Sequence, residues 1–473
     1  MSRLLPFALT CFALLWVAAA QAVCIQPCDC VPCPVAHVWP IDSPPCDATF
    51  TLQECVDGAN RGDAVLIATN GPISESISFA KSLTLGAAQG FTPVFSAGNF
   101  IQATPANASS TVIDIQGLTL QDGYIQVSQE GSGSLTLAIR NNTIESETIP
   151  FSNGVTALQL QAIEIQALST NGTKTGPISF VVSGNAANLS PPPSCTPSQL
   201  CYAGGINFFS DGSSSSGLVA GNAIAMSATG APIFLSSGDG DLTVDVLRNR
   251  ISGIGYDAGV ELFSEGAGTL TARILDNLVS GEHSSSGDGA ITADAASDST
   301  GAIQFAIANN TVARNDTAIR VRREGGSVAG SIANNAVTGN FYGLDVDDAL
   351  APVVSDHDNL FFGNVADLAS GAAGPGSVFA DPLYASSNDY HLKAGSPAIG
   401  AGDDSAVPAT DLDGSPITDL DGSPRIQGAH VDIGAYETAP EPATMLSAGA
   451  SLMVLASLAQ RSQPSHARAS TGR

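Results

Sequence analysis

Five segments of this chain align on an asparagine, and that repetition limits the fold more than any other feature. They are "LTLAIRNNTIES" on Asn142, "LTVDVLRNRISG" on Asn249, "LTARILDNLVSG" on Asn277, "IQFAIANNTVAR" on Asn310 and "VAGSIANNAVTG" on Asn335. Each has an aliphatic residue seven before the Asn and another two after it. Between them recurs a Gly or Ala followed by alternating apolar residues, at Ile206, Ile233, Val260, Ile291, Ile319 and Leu344, spaced 27, 27, 31, 28 and 25 residues apart. Two-residue alternation inside a period of that length describes short strands that return to the same place once per turn. Each coil then buries its inward Val, Ile and Leu against its neighbours, which predicts an all-β solenoid of parallel strands.

On these repeats the chain resembles the single-stranded right-handed parallel β-helix family. That family places Asn at a fixed turn, because Asn tolerates a left-handed backbone and its amide can bond the Asn stacked above it. The resemblance runs from residue 49 to 437 and implies a fold without an activity, since lyases, hydrolases, epimerases and adhesins share it. Open solenoid ends expose core and unpaired backbone, so caps are expected. At the start, Thr51 and Glu54 are spaced as a capping box, with Leu52 and Val56 on one side of a short helix. The stretches "DAVLIA", "SISF" and "SLTL" then read as the first strands. At the other end, "FADPLYASSNDYHLKAGSPAIGAGD" and "HVDIGAYE" resemble the closing signature of bacterial surface β-helix proteins called choice-of-anchor Q. There Ile399, Ile433 and Tyr436 are expected to cover the last rung.

The two termini read as addresses. Arg3, an apolar run from Leu4 to Ala20 and the small residues ending at Ala22 have the layout of a secretory signal over residues 1–22. A lipid anchor on Cys24 is disfavoured by the branched Val23 before it. Residues 438–473 carry Pro-Glu-Pro, a weak apolar run from Met445 to Ala459 and then Arg461, which resembles the PEP-CTERM sorting signals of Gram-negative bacteria. The run is 15 residues, short of the roughly 20 that span a bilayer. Transient membrane contact and a secreted, cell-surface location follow as expectations.

Export accounts for the cysteines. Cys24, Cys28, Cys30, Cys33 and Cys46 lie in a Cys-rich segment over 23–48 and Cys55 follows it, while Cys195 and Cys201 close a Pro-rich loop. Thiolates this close also suit zinc, but an oxidising compartment favours disulfides, with the pairing of the first six left open.

The chain has 44 acidic against 17 basic residues, a net charge of −27, and its lysines are Lys81, Lys174 and Lys393. Nucleic acid is therefore excluded as a partner, and an anionic polymer would need bridging cations. Extracellular polysaccharide or surface matrix is the expected partner, besides the export and sorting machinery.

Enzymes of this fold work with carboxylates, often calcium-bound, and an Arg or Lys on the outer face of adjacent coils. Overlaying the coils sets Asp294 under Arg322, Arg322 under Asp347 and Arg320 under Asp345. These five are the candidate catalytic residues, weighed against ordinary charge pairing across stacked strands. The polygalacturonase patterns Asn-Thr-Asp and Gly-His-Gly are missing, as is the pectate-lyase Trp-Ile-Asp-His. His283 beside Glu282, and His357 between Asp356 and Asp358, read as solvated loop and turn residues rather than bases or ligands. Short turns from Val260 to Val354 further favour a non-catalytic binding protein over a polysaccharide lyase or hydrolase.

Last, "TDLDGSPITDLDGSPR" writes one octet twice and brings Asp411, Asp413, Asp419 and Asp421 close in sequence. An EF-hand loop needs Glu at position 12, where Gly422 or His430 stands. The first copy, ending in Ile417, reads as a duplication absorbed by an exposed loop. A looser calcium site among the four carboxylates is the one cofactor the chain suggests.

Overall fold

A computed structural model describes residues 34–106, 108–146, 158–167, 175–190, 201–227, 230–253, 258–281 and 288–439, with backbone alone at 158–160 and 201–203. Three parallel sheets of 12, 11 and 11 strands run along the chain. Each coil gives a strand to the first sheet, turns sharply into the second, and crosses a wider connection into the third. Leu135–Arg140, Thr143–Ser146 and Leu158–Ala167 make one such coil. The fold is a right-handed parallel β-helix, and among the described residues it holds one α-helix.

The predicted register is the observed one. Ile206, Ile233, Val260, Ile291, Ile319 and Leu344 pair in succession across the third sheet. The column continues upstream through Ile163, Ile125 and Ile101 to Ile77. Residues of this column from Ile77 to Ile319 are at most 2 % exposed, so the third sheet buries one face continuously, as parallel coils must.

The sharp turns divide two tasks between adjacent residues. The left-handed backbone falls on the residue before each ladder Asn: Asn141, Arg248, Asp276, Asn309 and Asn334 have φ of 54–61°. The ladder Asn is thus selected for its amide, a correction to the expected left-handed role. Each amide Nδ2 donates to the Oδ1 of the next coil's Asn at 2.9–3.0 Å. The run is Asn142, Asn185, Asn222, Asn249, Asn277, Asn310, Asn335 and Asn359. At Asn185 and Asn222 the preceding residue with positive φ is a glycine, Gly184 or Gly221.

At the start, the helix Leu52–Gly58 carries the expected capping box from Thr51 and Glu54 and buries Leu52, Cys55 and Val56. A disulfide joins Cys46 to Cys55, tying the preceding segment to this helix. A strand not foreseen, Ala36–Trp39, precedes the helix and pairs with Ala64–Ile67. Cys24, Cys28, Cys30, Cys33 and Cys195 lie outside the described residues, as do the N-terminal address, residues 440–473 of the C-terminal one and the side chain of Cys201. No described helix is long and apolar enough to cross a membrane.

The far end departs from expectation. Leu350, Leu368 and Ala373 pack on the last coils, and Phe379 stacks on Phe361 at 5.6 Å. Ile399 is 39 % exposed and not buried against the last rung. Residues 396–438 instead fold back as a strap along the ridge between the first and second sheets. Ile433 packs on Ala336 and Leu360, and Tyr436 on Ala313. Ile417 joins Leu218, Leu247, Leu275 and Ala308, so the first octet copy is exposed over most of its length, as expected, but anchored at its end.

Candidate functional site on the third sheet

Alternation sends every second residue of the third sheet outward, and stacking aligns those residues into two columns. One column reads Gln102, Gln126, Glu164, Asn207, Phe234, Glu261, Thr292, Arg320 and Asp345. The other reads Ser128, Gln166, Phe209, Ser236, Phe263, Asp294 and Arg322. Upstream the face is an amide ladder: Gln102 donates to Gln126 and Gln126 to Glu164, both at 2.8 Å. In the middle three phenyl rings step diagonally between the columns, Phe209 to Phe234 at 5.4 Å and Phe234 to Phe263 at 5.9 Å. Downstream the face becomes charged.

Asp294 stands beside Arg322 in the ladder. Burial raises its carboxyl above the ordinary range, partly offset by Arg322 and reinforced by Asp288, Glu324 and Asp347. Its Oδ1 is buried with no hydrogen bond among the described residues. Arg322 pairs its guanidinium with Asp288, a partner the overlay did not name. Arg320 pairs with Asp345 at 3.2 Å, as the overlay implied. Asp347 does not extend the column: the ladder stops at Val346, and Asp347 Oδ2 accepts the Arg323 amide at 3.0 Å where the chain enters the turn Asp348–Leu350. Glu164 is also raised, mainly by burial, with Gln126 and Gln166 opposing.

The phenyl steps are the feature that charge-centred reasoning missed. Their signal lay in "GINFF", "APIFLS" and "GVELF", whose alternation sends Phe209, Phe234 and Phe263 outward.

The other sequence candidates fall elsewhere. The doubled aspartates do not converge on a point. Asp411 Oδ1 accepts the amides of Asp413 and Ser415 at 3.0 and 2.9 Å, and Asp419 Oδ1 those of Asp421 and Ser423 at 3.1 and 2.7 Å. Each octet is thus a self-closed Asx turn with Gly414 or Gly422 at positive φ. Asp421 reaches Arg250 at 2.8 Å and His391 at 2.7 Å. His283 lies outside the described residues. His357 meets Asp358 at 2.9 Å and the strap's Asp403 at 3.8 Å, a trio whose ligand atoms lie within 4.8 Å of one another. One nitrogen and two carboxylates suit a zinc-like ion better than the all-oxygen shell of calcium. Asp356 is not part of it, accepting the Gly374 amide at 2.6 Å.

The fold and this face define the chain as a right-handed parallel β-helix protein with a mixed aromatic and polar outer sheet. No known family matches its sequence, and no curated protein does. Among solved structures, the crystal structure of pectate lyase Pel9A is similar, with a TM-score of 0.47 and 14 % identity over 86 % of this chain and 96 % of that one.

Proposed function

We propose that this chain is an exported, surface-associated protein that binds polysaccharide along the outer face of its third sheet without cleaving it. The diagonal of Phe209, Phe234 and Phe263 carries the reading, since half-buried rings beside amides and carboxylates offer stacking for sugar C–H faces and acceptors for hydroxyls. Glu164, Glu261, Asp294 and Asp345 outnumber Arg320 and Arg322 among the named columns, which favours uncharged sugars there and makes acidic polymers dependent on a bridging cation such as calcium. The closing signature and tail make the chain a choice-of-anchor Q type protein with a PEP-CTERM-like signal, attached at the surface of a Gram-negative bacterium.

The test is a panel of soluble neutral glucans and mannans titrated into the protein. Phe234→Ala is expected to weaken the best binder by at least about tenfold, the loss of one aromatic contact, while leaving the melting temperature unchanged. Full binding by that variant would overturn the proposal.

A second reading is favoured by one observation, the raised carboxyl of Asp294 beside Arg322, with one buried oxygen that has no hydrogen bond among the described residues. It makes the face a lyase or hydrolase for uronans. Absorbance at 235 nm or new reducing ends from pectate or alginate with calcium, abolished by Arg322→Ala, would establish it in place of the first.

A further inference from the structure

A second set of stacked turns, between the second and third sheets, carries a short ladder of its own. Asn315 donates to Asn340 and Asn340 to Asn364, at 3.1 and 3.0 Å. Before each stands a left-handed residue: Arg314 at φ 64°, Gly339 at 69° and Gly363 at 69°. Two of the three have no side chain, so the wall they form is hollow beside the long side chain of Arg314. The hairpin of Tyr384–Ser386 and Asp389–Leu392 faces this hollow across a cleft of about 450 Å³. That volume lies within the ~300–1,000 Å³ typical of small-ligand sites.

The cleft is built, not incidental. Arg314 lies over the Tyr390 ring at 5.8 Å and donates to Asn388 at 3.0 Å, which holds the guanidinium at the rim. Leu383, on the opposite lip, has φ 53°, a conformation an ordinary L side chain adopts at a cost and which gathers at functional sites. It is fixed there by the Asp381 carboxylate, which accepts its amide at 2.8 Å, and by the Lys393 amide, which donates to its carbonyl at 3.0 Å. Leu383 and Phe362 are 39 % and 43 % exposed, leaving an apolar surface beside two cations, Arg314 and Lys393, and one carboxylate, Asp381, whose Oδ1 is held by the Leu383 amide. In a chain of net charge −27, a cleft in which cations outnumber carboxylates is a local reversal of sign.

We propose that this cleft binds an acidic sugar residue, with Phe362, Leu383 and Tyr390 against the ring and Arg314 and Lys393 on the carboxylate. A guanidinium suits a planar carboxylate, and the apolar walls select an anion that carries a hydrophobic body. The site is separate from the third-sheet face and uses none of its residues.

The experiment titrates full-length protein with digalacturonate, cellobiose and inorganic phosphate, following binding by calorimetry and ligand-observed NMR. Digalacturonate is expected to bind. Arg314→Gln and Lys393→Gln should each weaken it about tenfold, the scale of one charge-assisted contact. Phe234→Ala should leave it unchanged. Lys393 is exposed and has no special backbone geometry, so its variant tests the site even if Arg314→Gln fails to fold. No binding of digalacturonate, equal binding of cellobiose, equal competition by phosphate, or loss through Phe234→Ala but not Lys393→Gln would each overturn the proposal. Failure here leaves the neutral-glycan result on the third sheet standing, and the reverse also holds.

Discussion

Asn310 shows how much one ladder residue carries. Its amide nitrogen donates to Asn335 Oδ1 and Ile274 O at 3.0 and 2.8 Å, its backbone N–H donates to Asn335 Oδ1 at 3.0 Å, and its own Oδ1 accepts twice from Asn277 at 2.9 Å. It is fully buried. Asn310→Ala would strip the Asn277 backbone N–H of its acceptor, a loss of roughly 1–3 kcal/mol, while Asn277 Nδ2 keeps the carbonyls of Val246 and Leu275. We expect a loss of that size in denaturant unfolding, and no loss would mean the ladder is decorative. Arg425 is the matching residue on the strap, with its side chain 2 % exposed between Asp276 at 3.2 Å and Glu437 at 3.8 Å. It also donates to the carbonyls of Asp432 and Gly434 at 2.9 and 2.6 Å. Nothing local announced it, because its partner Asp276 is a turn residue 149 positions upstream. The Asn ladder was legible because it repeats; the buried arginine was not, because it occurs once.

The strap is the element whose behaviour should depend on pH. Burial pushes the carboxyls of Asp276 and Glu437 up to about 7 despite the attraction of Arg425. A carboxyl that holds its proton more tightly folded than unfolded weakens the fold as pH rises between those two values, here from about 4 to about 7. Burial lowers His391, but its hydrogen bonds to Asp421 and Asp389 outweigh that and raise it overall. Its contribution is therefore full below about 6.5, the unperturbed value, and lost as pH climbs through the raised one. All three act in one direction. Limited proteolysis should release residues 396–438 faster at pH 8 than at pH 5, and the opposite order would refute the assignment. Ile417→Ala, which empties a 6 % exposed site over Leu247 and Leu275, should open the same region at a cost of roughly 2–4 kcal/mol.

For the molecule as a whole, the strap turns a chain of nearest-neighbour coils into one with a lateral tie. A solenoid's stability is close to a sum of coil and interface contributions. Here Leu412 donates to Asp245 at 2.8 Å, Ala435 to Thr311 Oγ1 at 3.0 Å and Asp403 to Asn334 at 2.8 Å, so one segment spans several coils. Arg425→Met removes the buried guanidinium and should lower amide protection from Ser215 to His357, while coils between Ala64 and Leu189 keep theirs. Uniform loss along the whole rod would show that the strap is not a local tie. A site for the strap is written in the first sheet: Ala220, Leu247, Leu275, Ala308 and Ala333 form an outward column in register, apolar where Arg140 and Ser183 stand in earlier coils.

By itself the sequence determined the coil, its period, its register and the charged end of the third sheet, because each depends on contacts between residues one repeat apart, and repetition makes such contacts visible. Tertiary structure decided where the closing segment lies, that Asp347 leaves the Asp294 and Arg322 column, that the doubled aspartates close their own turns, and that Arg314 borders a cleft. Those outcomes depend on single contacts between segments far apart in the chain. The free energy that fixes them comes from burying unlike surfaces together, and neither surface taken alone carries a pattern that names the other.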